Sequence, residues 1–246
     1  MTEETIEVRT PDGIADGFLN RPAAGSPAPG VIMLTDIGGI REVTKQLAQR
    51  VADQGFVVLS PNVFYRTGRS PLWSFRPNFG DERTAKRFAE LAGPLQQPAV
   101  ERDAQAYADF LAAQPGVRQG PLAVVGYCFT GGVALRMAAA QPERFAAVAS
   151  FHGGGLCTDA PTSPHLVLPR VRARLYFGHA SQDRSMSQES IDKLGTALAA
   201  WGGKHESELY EGAFHGWTMA DSPVWNEPQA ERAFGKLIEL LKQTLA

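Results

Sequence analysis

Cys128 stands two residues after Gly126 in the run Leu122-Ala123-Val124-Val125-Gly126-Tyr127-Cys128-Phe129-Thr130-Gly131-Gly132. An apolar run that ends in glycine, then a reactive side chain, then small residues opening a helix, is the pattern of a nucleophile held on a strand-to-helix turn. Such a turn is tight, so the residue two before the nucleophile must be small, and Gly126 meets that need. A sulfur there lies at a helix N-terminus, where the dipole favours thiolate. The N–H of Phe129 becomes one donor for an oxyanion. Thr130 stands where glycine is usual, with Gly131 and Gly132 beside it to allow close backbone approach.

A nucleophilic thiol also needs a base and a group that orients the base. On this kind of scaffold the chain order is nucleophile, acid, base, each after a strand. The segment 178–186 contains one carboxylate, Asp183. The segment 210–217 contains one histidine, His215, flanked by Gly212 and Gly216. The sequence therefore predicts a Cys128–His215–Asp183 triad, formed where three strand ends meet.

The elements that must position these residues follow from hydrophobic periodicity. Residues 5–9 and 15–20 read as a hairpin around Pro11-Asp12-Gly13. Residues 30–34, 56–60, 122–126, 145–151, 173–178 and 205–210 read as strands, several of them apolar throughout, as expected when both faces are buried. Helical spacing appears at 41–54, 82–91, 99–114, 130–140, 188–201 and 228–244. Alternating strands and helices predict an α/β fold: a mostly parallel sheet of about eight strands with helices on both faces, and working groups at the carboxyl ends of the strands. No repeat or linker divides the chain, so residues 1–246 read as one domain. Residues 61–81 break the rhythm with Pro61, Pro71, Pro77, Gly68 and Gly80 among Phe64, Tyr65, Trp73, Phe75 and Phe79. A long aromatic loop in a compact domain predicts a substrate-side wall.

Composition narrows the function class. A chain of 246 residues with 43% apolar residues, 20% charged residues and net charge −2 reads as an ordinary soluble globular protein. It gives no electrostatic reason to expect nucleic acid or an anionic membrane as partner. No 18-residue apolar run spans a bilayer. The acidic start lacks a signal peptide's basic and apolar regions, so the expected location is cytoplasmic. The chain holds two cysteines, Cys128 and Cys157, too few for a disulfide framework. Its five histidines, His152, His165, His179, His205 and His215, show no metal-ligand spacing. No metal or cofactor is predicted. The expected partner is a small molecule, and the expected state a monomer or small homo-oligomer.

With these residues in view, the sequence resembles the dienelactone hydrolase (carboxymethylenebutenolidase) family of the α/β-hydrolase fold. The resemblance rests on Gly126-Tyr127-Cys128, on Asp183 five residues after Gly178, and on Phe214-His215-Gly216. It extends to Asp36-Ile37-Gly38-Gly39 after the third strand and to Pro61-Asn62-Val63-Phe64-Tyr65-Arg66 after the fourth. The resemblance implies hydrolysis of an ester or lactone through a cysteinyl thioester, with the N–H groups of Ile37 and Phe129 as the oxyanion hole. It implies a thiol-modulating acid at Asp36, where family members usually carry glutamate. It also implies arginines for a substrate carboxylate. None follows His215, so Arg76 and Arg83 are the candidates. Tyr65, Trp73, Trp217 and His152, the last at the pocket rim, complete the expected substrate contacts.

Three readings stay open on sequence grounds: an esterase or lactonase, including one acting on an aromatic, apolar or thioester acyl group; a ligand-binding member without catalysis; and a redox protein pairing Cys128 with Cys157.

Overall fold

Eight strands form a single sheet in the order β1-β2-β4-β3-β5-β6-β7-β8 in the computed structural model, which describes residues 2–23, 27–78 and 80–245. Phe79 of the aromatic loop lies outside the described residues. β1 (Thr2–Thr10) and β2 (Gly13–Arg21) are the expected edge hairpin, and β2 also runs antiparallel to β4 (Val57–Pro61). From β4 onward, β3 (Gly30–Met33), β5 (Leu122–Tyr127), β6 (Phe145–Phe151), β7 (Arg174–Gln182) and β8 (His205–Phe214) are all parallel. This is the α/β-hydrolase architecture.

The side-chain period of two sorts the strands' apolar residues into two cores. Ile32, Leu59, Val124, Val148 and Phe177 point to one face. There they meet α3 (Gln97–Ala112), α4 (Thr130–Ala140) and α5 (Gln188–Trp201), with Leu91 of α2 (Glu82–Ala92) at the margin. Val31, Met33, Val58, Val125, Ala149 and Tyr176 point to the other face, against α1 (Glu42–Ala52) and α6 (Glu227–Leu245). Because both faces are covered, β3, β4 and β5 are buried along their whole length. No helix among the described residues is long and apolar enough to cross a membrane.

Two differences from the expected elements matter for the site. β7 runs four residues past Gly178 to Gln182, and β8 four residues past Tyr210 to Phe214. Both ladders therefore stop one residue short of a predicted site residue, Asp183 and His215. Polar side chains such as Ser181 and Glu211 end the apolar runs in the sequence but not the strands. β8 lies at the sheet edge, where half-exposed positions accept them. A short 3₁₀ helix, Pro164–Arg170, also stands where a loop was expected.

Candidate active site

The turn after β5 is as sharp as its sequence requires. Cys128 sits in the left-handed region at φ 57°, a conformation few non-glycine residues adopt. A Cβ at Gly126 would overlap the carbonyl oxygen of Thr130, so no side chain fits there. Thr130 fills the place usual for glycine with a clasp. Its hydroxyl accepts from the Tyr127 N–H at 2.9 Å and donates to the Tyr127 carbonyl at 2.9 Å. The N–H groups of Phe129 and Ile37 donate to no protein acceptor among the described residues.

His215 Nε2 lies 3.1 Å from Cys128 Sγ, and His215 Nδ1 lies 2.6 Å from Asp183 Oδ2. Ser185, which the sequence reading passed over, steadies the acid. Its N–H and its hydroxyl donate to Asp183 Oδ1 at 2.8 and 2.6 Å. The Asp-x-Ser spacing was the available signal, because a carboxylate readily accepts from the backbone two residues on. Burial acts to raise the Asp183 carboxyl, but His215 and then Ser185 hold it below the ordinary carboxylate range. Burial acts to lower His215; the hydrogen bonds to Asp183 and Cys128, and their charge, outweigh it and push it up to about 10. Sulfur, imidazole and carboxylate thus stand in line, with the imidazole favoured in its protonated form.

The structure brings together the three residues of the expected triad but moves several of the other candidates. Asp36 does not hydrogen-bond Cys128 among the described residues. Its two oxygens accept from Arg41 Nη1 and Nη2 at 2.6 and 2.9 Å, and its Oδ1 also accepts from the Gly38 N–H at 3.0 Å. The guanidinium fork matches a carboxylate, and the short aspartate side chain keeps both of its oxygens at Arg41. Arg41 Nε continues to Asp221 Oδ2 at 2.6 Å, joining the loop after β3 to the loop after β8. Trp217 is fully buried, stacked on Tyr210 with ring centroids 4.8 Å apart, and is core rather than pocket. His152 is 1% exposed and so does not form the pocket rim. Tyr65 faces the hairpin and α3. Its hydroxyl donates to Asp103 at 2.9 Å and accepts from Thr10 at 2.7 Å.

Trp73, Arg76 and Arg83 stay near the surface. Trp73 Nε1 donates to the Ile37 carbonyl at 2.9 Å, and its ring meets Phe75 edge-on at 5.6 Å. Arg83 lies 3.8 Å over the Phe75 ring, and Phe88 of α2 meets Phe129 edge-on at 5.8 Å. Arg76 is exposed. The aromatic loop and α2 therefore back the two residues, Ile37 and Phe129, whose N–H groups have no protein acceptor among the described residues. Residues 61–66 anchor that loop: Arg66 Nη1 donates to the buried Asp103 at 2.8 Å.

The family model for the dienelactone hydrolases matches residues 15–245. The chain belongs to the dienelactone hydrolase family. Among its relatives is an Escherichia coli (strain K12) protein provisionally named a carboxymethylenebutenolidase, 27% identical over 254 residues, covering 96% of this chain and 90% of that one. The carboxymethylenebutenolidase of Rhodococcus opacus is 27% identical over 208 residues, covering 84% of this chain and 77% of that one. Among solved structures, a Klebsiella pneumoniae protein provisionally named a dienelactone hydrolase superposes with a TM-score of 0.87 at 20% identity, over 98% of each chain. This dienelactone hydrolase family member is thus a hydrolase by family.

Proposed function

We propose that the chain hydrolyses a small ester or lactone through a thioester on Cys128. The supporting observation is the line from Cys128 Sγ through His215 to Asp183, at 3.1 and 2.6 Å, at the ends of β5, β8 and β7. Sulfur attacks the carbonyl carbon while His215 Nε2 holds the proton of the Cys128–His215 pair. The N–H groups of Ile37 and Phe129 hold the resulting oxyanion. Collapse breaks the carbon–oxygen bond, and Nε2 returns the proton to the leaving oxygen. Water then gives a proton to Nε2 and attacks the thioester, and sulfur leaves, which restores the Cys128–His215 pair with its proton on Nε2. Asp183 keeps Nδ1 bonded and stabilises the imidazolium throughout. The chemistry needs a reduced thiol, the state that a cytoplasmic setting maintains.

A specific observation favours an uncharged, aromatic or apolar acyl group over a carboxylate-bearing lactone. Arg41 is already held by two carboxylates, Arg83 is stacked on Phe75, exposed Arg76 makes no hydrogen bond or ion pair to the residues around Cys128 among the described residues, and the wall near Ile37 and Phe129 is built of Trp73, Phe75 and Phe88. An anionic substrate is recognised best by an arginine fork free to bind it. The test is mass spectrometry after a brief reaction with p-nitrophenyl acetate. An acetyl group on Cys128, absent in Cys128→Ala along with turnover, is expected. Turnover at the wild-type rate in Cys128→Ala would end this reading.

A further inference from the structure

We propose that His152 is a positioning residue that holds the nucleophile's backbone, acting as a neutral acceptor for the Cys128 N–H; this rests on the role given to Cys128 above. The Cys128 N–H is shared between the Phe151 carbonyl at 3.0 Å and His152 Nδ1 at 3.0 Å. A backbone N–H only donates, so Nδ1 must carry a lone pair and the ring proton must sit on Nε2. Nε2 in turn has Thr218 Oγ1 at 2.7 Å, which accepts that proton. The His152 N–H donates to the Gly178 carbonyl at 2.8 Å. One buried residue at the end of β6 therefore ties together the chain just past β5, the strand β7 and the loop after β8.

The place it does so is strained. Cys128 at φ 57° and His152 at φ 42° are the non-glycine residues with positive φ among the described residues, and the hydrogen bond joins them. Strain of this kind persists only where the surroundings over-determine it. The Cys128 peptide leads directly to the Phe129 N–H, so fixing the first also aims the second. Of the side chains facing the ring, Trp217, Tyr127 and Thr218 are uncharged, His215 favours the neutral form and Asp183 opposes it. His215 lies 5.3 Å away edge-on, Trp217 5.1 Å and Tyr127 6.0 Å. Burial first, then the charge of His215, push His152 well below the usual histidine range, with Asp183 opposing. A protonated ring would lose its lone pair to Cys128 and set a second cation beside His215.

Three variants separate this role from packing. His152→Phe keeps a ring and removes the acceptor. His152→Asn restores an acceptor near the same place and tolerates the left-handed backbone. Thr218→Val leaves His152 in place and frees its tautomer, which keeps the test open if His152→Phe does not fold. For p-nitrophenyl acetate, kcat is expected to fall about thirtyfold in His152→Phe and about fivefold in Thr218→Val, with KM little changed, and His152→Asn is expected to recover most of the loss. Long-range 1H–15N spectra of the wild type, without substrate, are expected to show His152 neutral with its proton on Nε2 at about pH 6. Wild-type kcat in folded His152→Phe or in Thr218→Val, no recovery in His152→Asn, or a proton on Nδ1 would each overturn the proposal. If Cys128 in the wild type takes no acyl group, the esterase reading fails, and the tautomer spectrum still decides for or against the His152 clasp.

Discussion

At the scale of single residues, the site depends on side chains that close hydrogen bonds the turn would otherwise leave open. Thr130 is the clearest case. Sequence comparison of residue types makes it a departure from glycine, yet its buried hydroxyl serves both polar groups of Tyr127. Replacing it by valine keeps the shape and strands a buried N–H and a buried C=O. Each unsatisfied group costs about 1–3 kcal/mol. Thr130→Val should therefore unfold in urea with a stability lower by about 3 kcal/mol, and Thr130→Ser should restore most of it. A loss below about 1 kcal/mol would mean that water or another group takes over both bonds.

At the scale of elements, the loop 61–81 acts on the site through the backbone as well as through its rings. Trp73 holds the Ile37 carbonyl at 2.9 Å, and rotating that peptide would re-aim the neighbouring N–H groups. Trp73→Phe keeps the aromatic wall but loses the donor. The expected result is a kcat about tenfold lower, a smaller effect than outright removal of an oxyanion donor, with KM changed less than kcat. An unchanged kcat in steady-state assays would place the Trp73 bond outside catalysis. The sequence showed where the elements lie because periodicity and glycine turns are local. α4 and β6 match the expected bounds, residues 130–140 and 145–151. It singled out Cys128, Asp183 and His215 because order along the chain maps onto strand ends, and these side chains lie within 3.1 and 2.6 Å of one another in series. It could not show which partner a side chain prefers once several compete. Asp36 turned to Arg41 rather than Cys128, and Trp217 and His152 went into the core rather than the pocket. Those choices are made by contacts between distant segments, which a pattern of residue types does not contain.

At the scale of the whole molecule, burying neutral histidines makes stability depend on pH. His179 is buried, with one ring nitrogen 3.2 Å from Ser207 Oγ, and burial pulls it down to about 4, with Asp183 opposing. Below about pH 6.5 the unfolded chain takes a proton at this position that the folded chain refuses. The sign follows: His179 leaves stability untouched above about pH 6.5 and lowers it as pH falls toward about 4, by about 1.4 kcal/mol per pH unit. Urea melts of the wild type and of His179→Gln between pH 4.5 and 7.5 should diverge by that slope on the acid side only. Parallel curves would show that His179 is protonated in the folded state.

The crowding at Gly126 carries a lesson about what this scaffold leaves free to vary. A methyl group there would collide with the main chain at the start of α4, so substitution would have to push the helix off its axis. The sulfur at 128 has a side chain as its neighbour instead, His215 Nε2 at 3.1 Å. The fold polices the bend of the chain far more strictly than the element that does the attacking, and an exchange of sulfur for oxygen would leave the geometry of the bend intact.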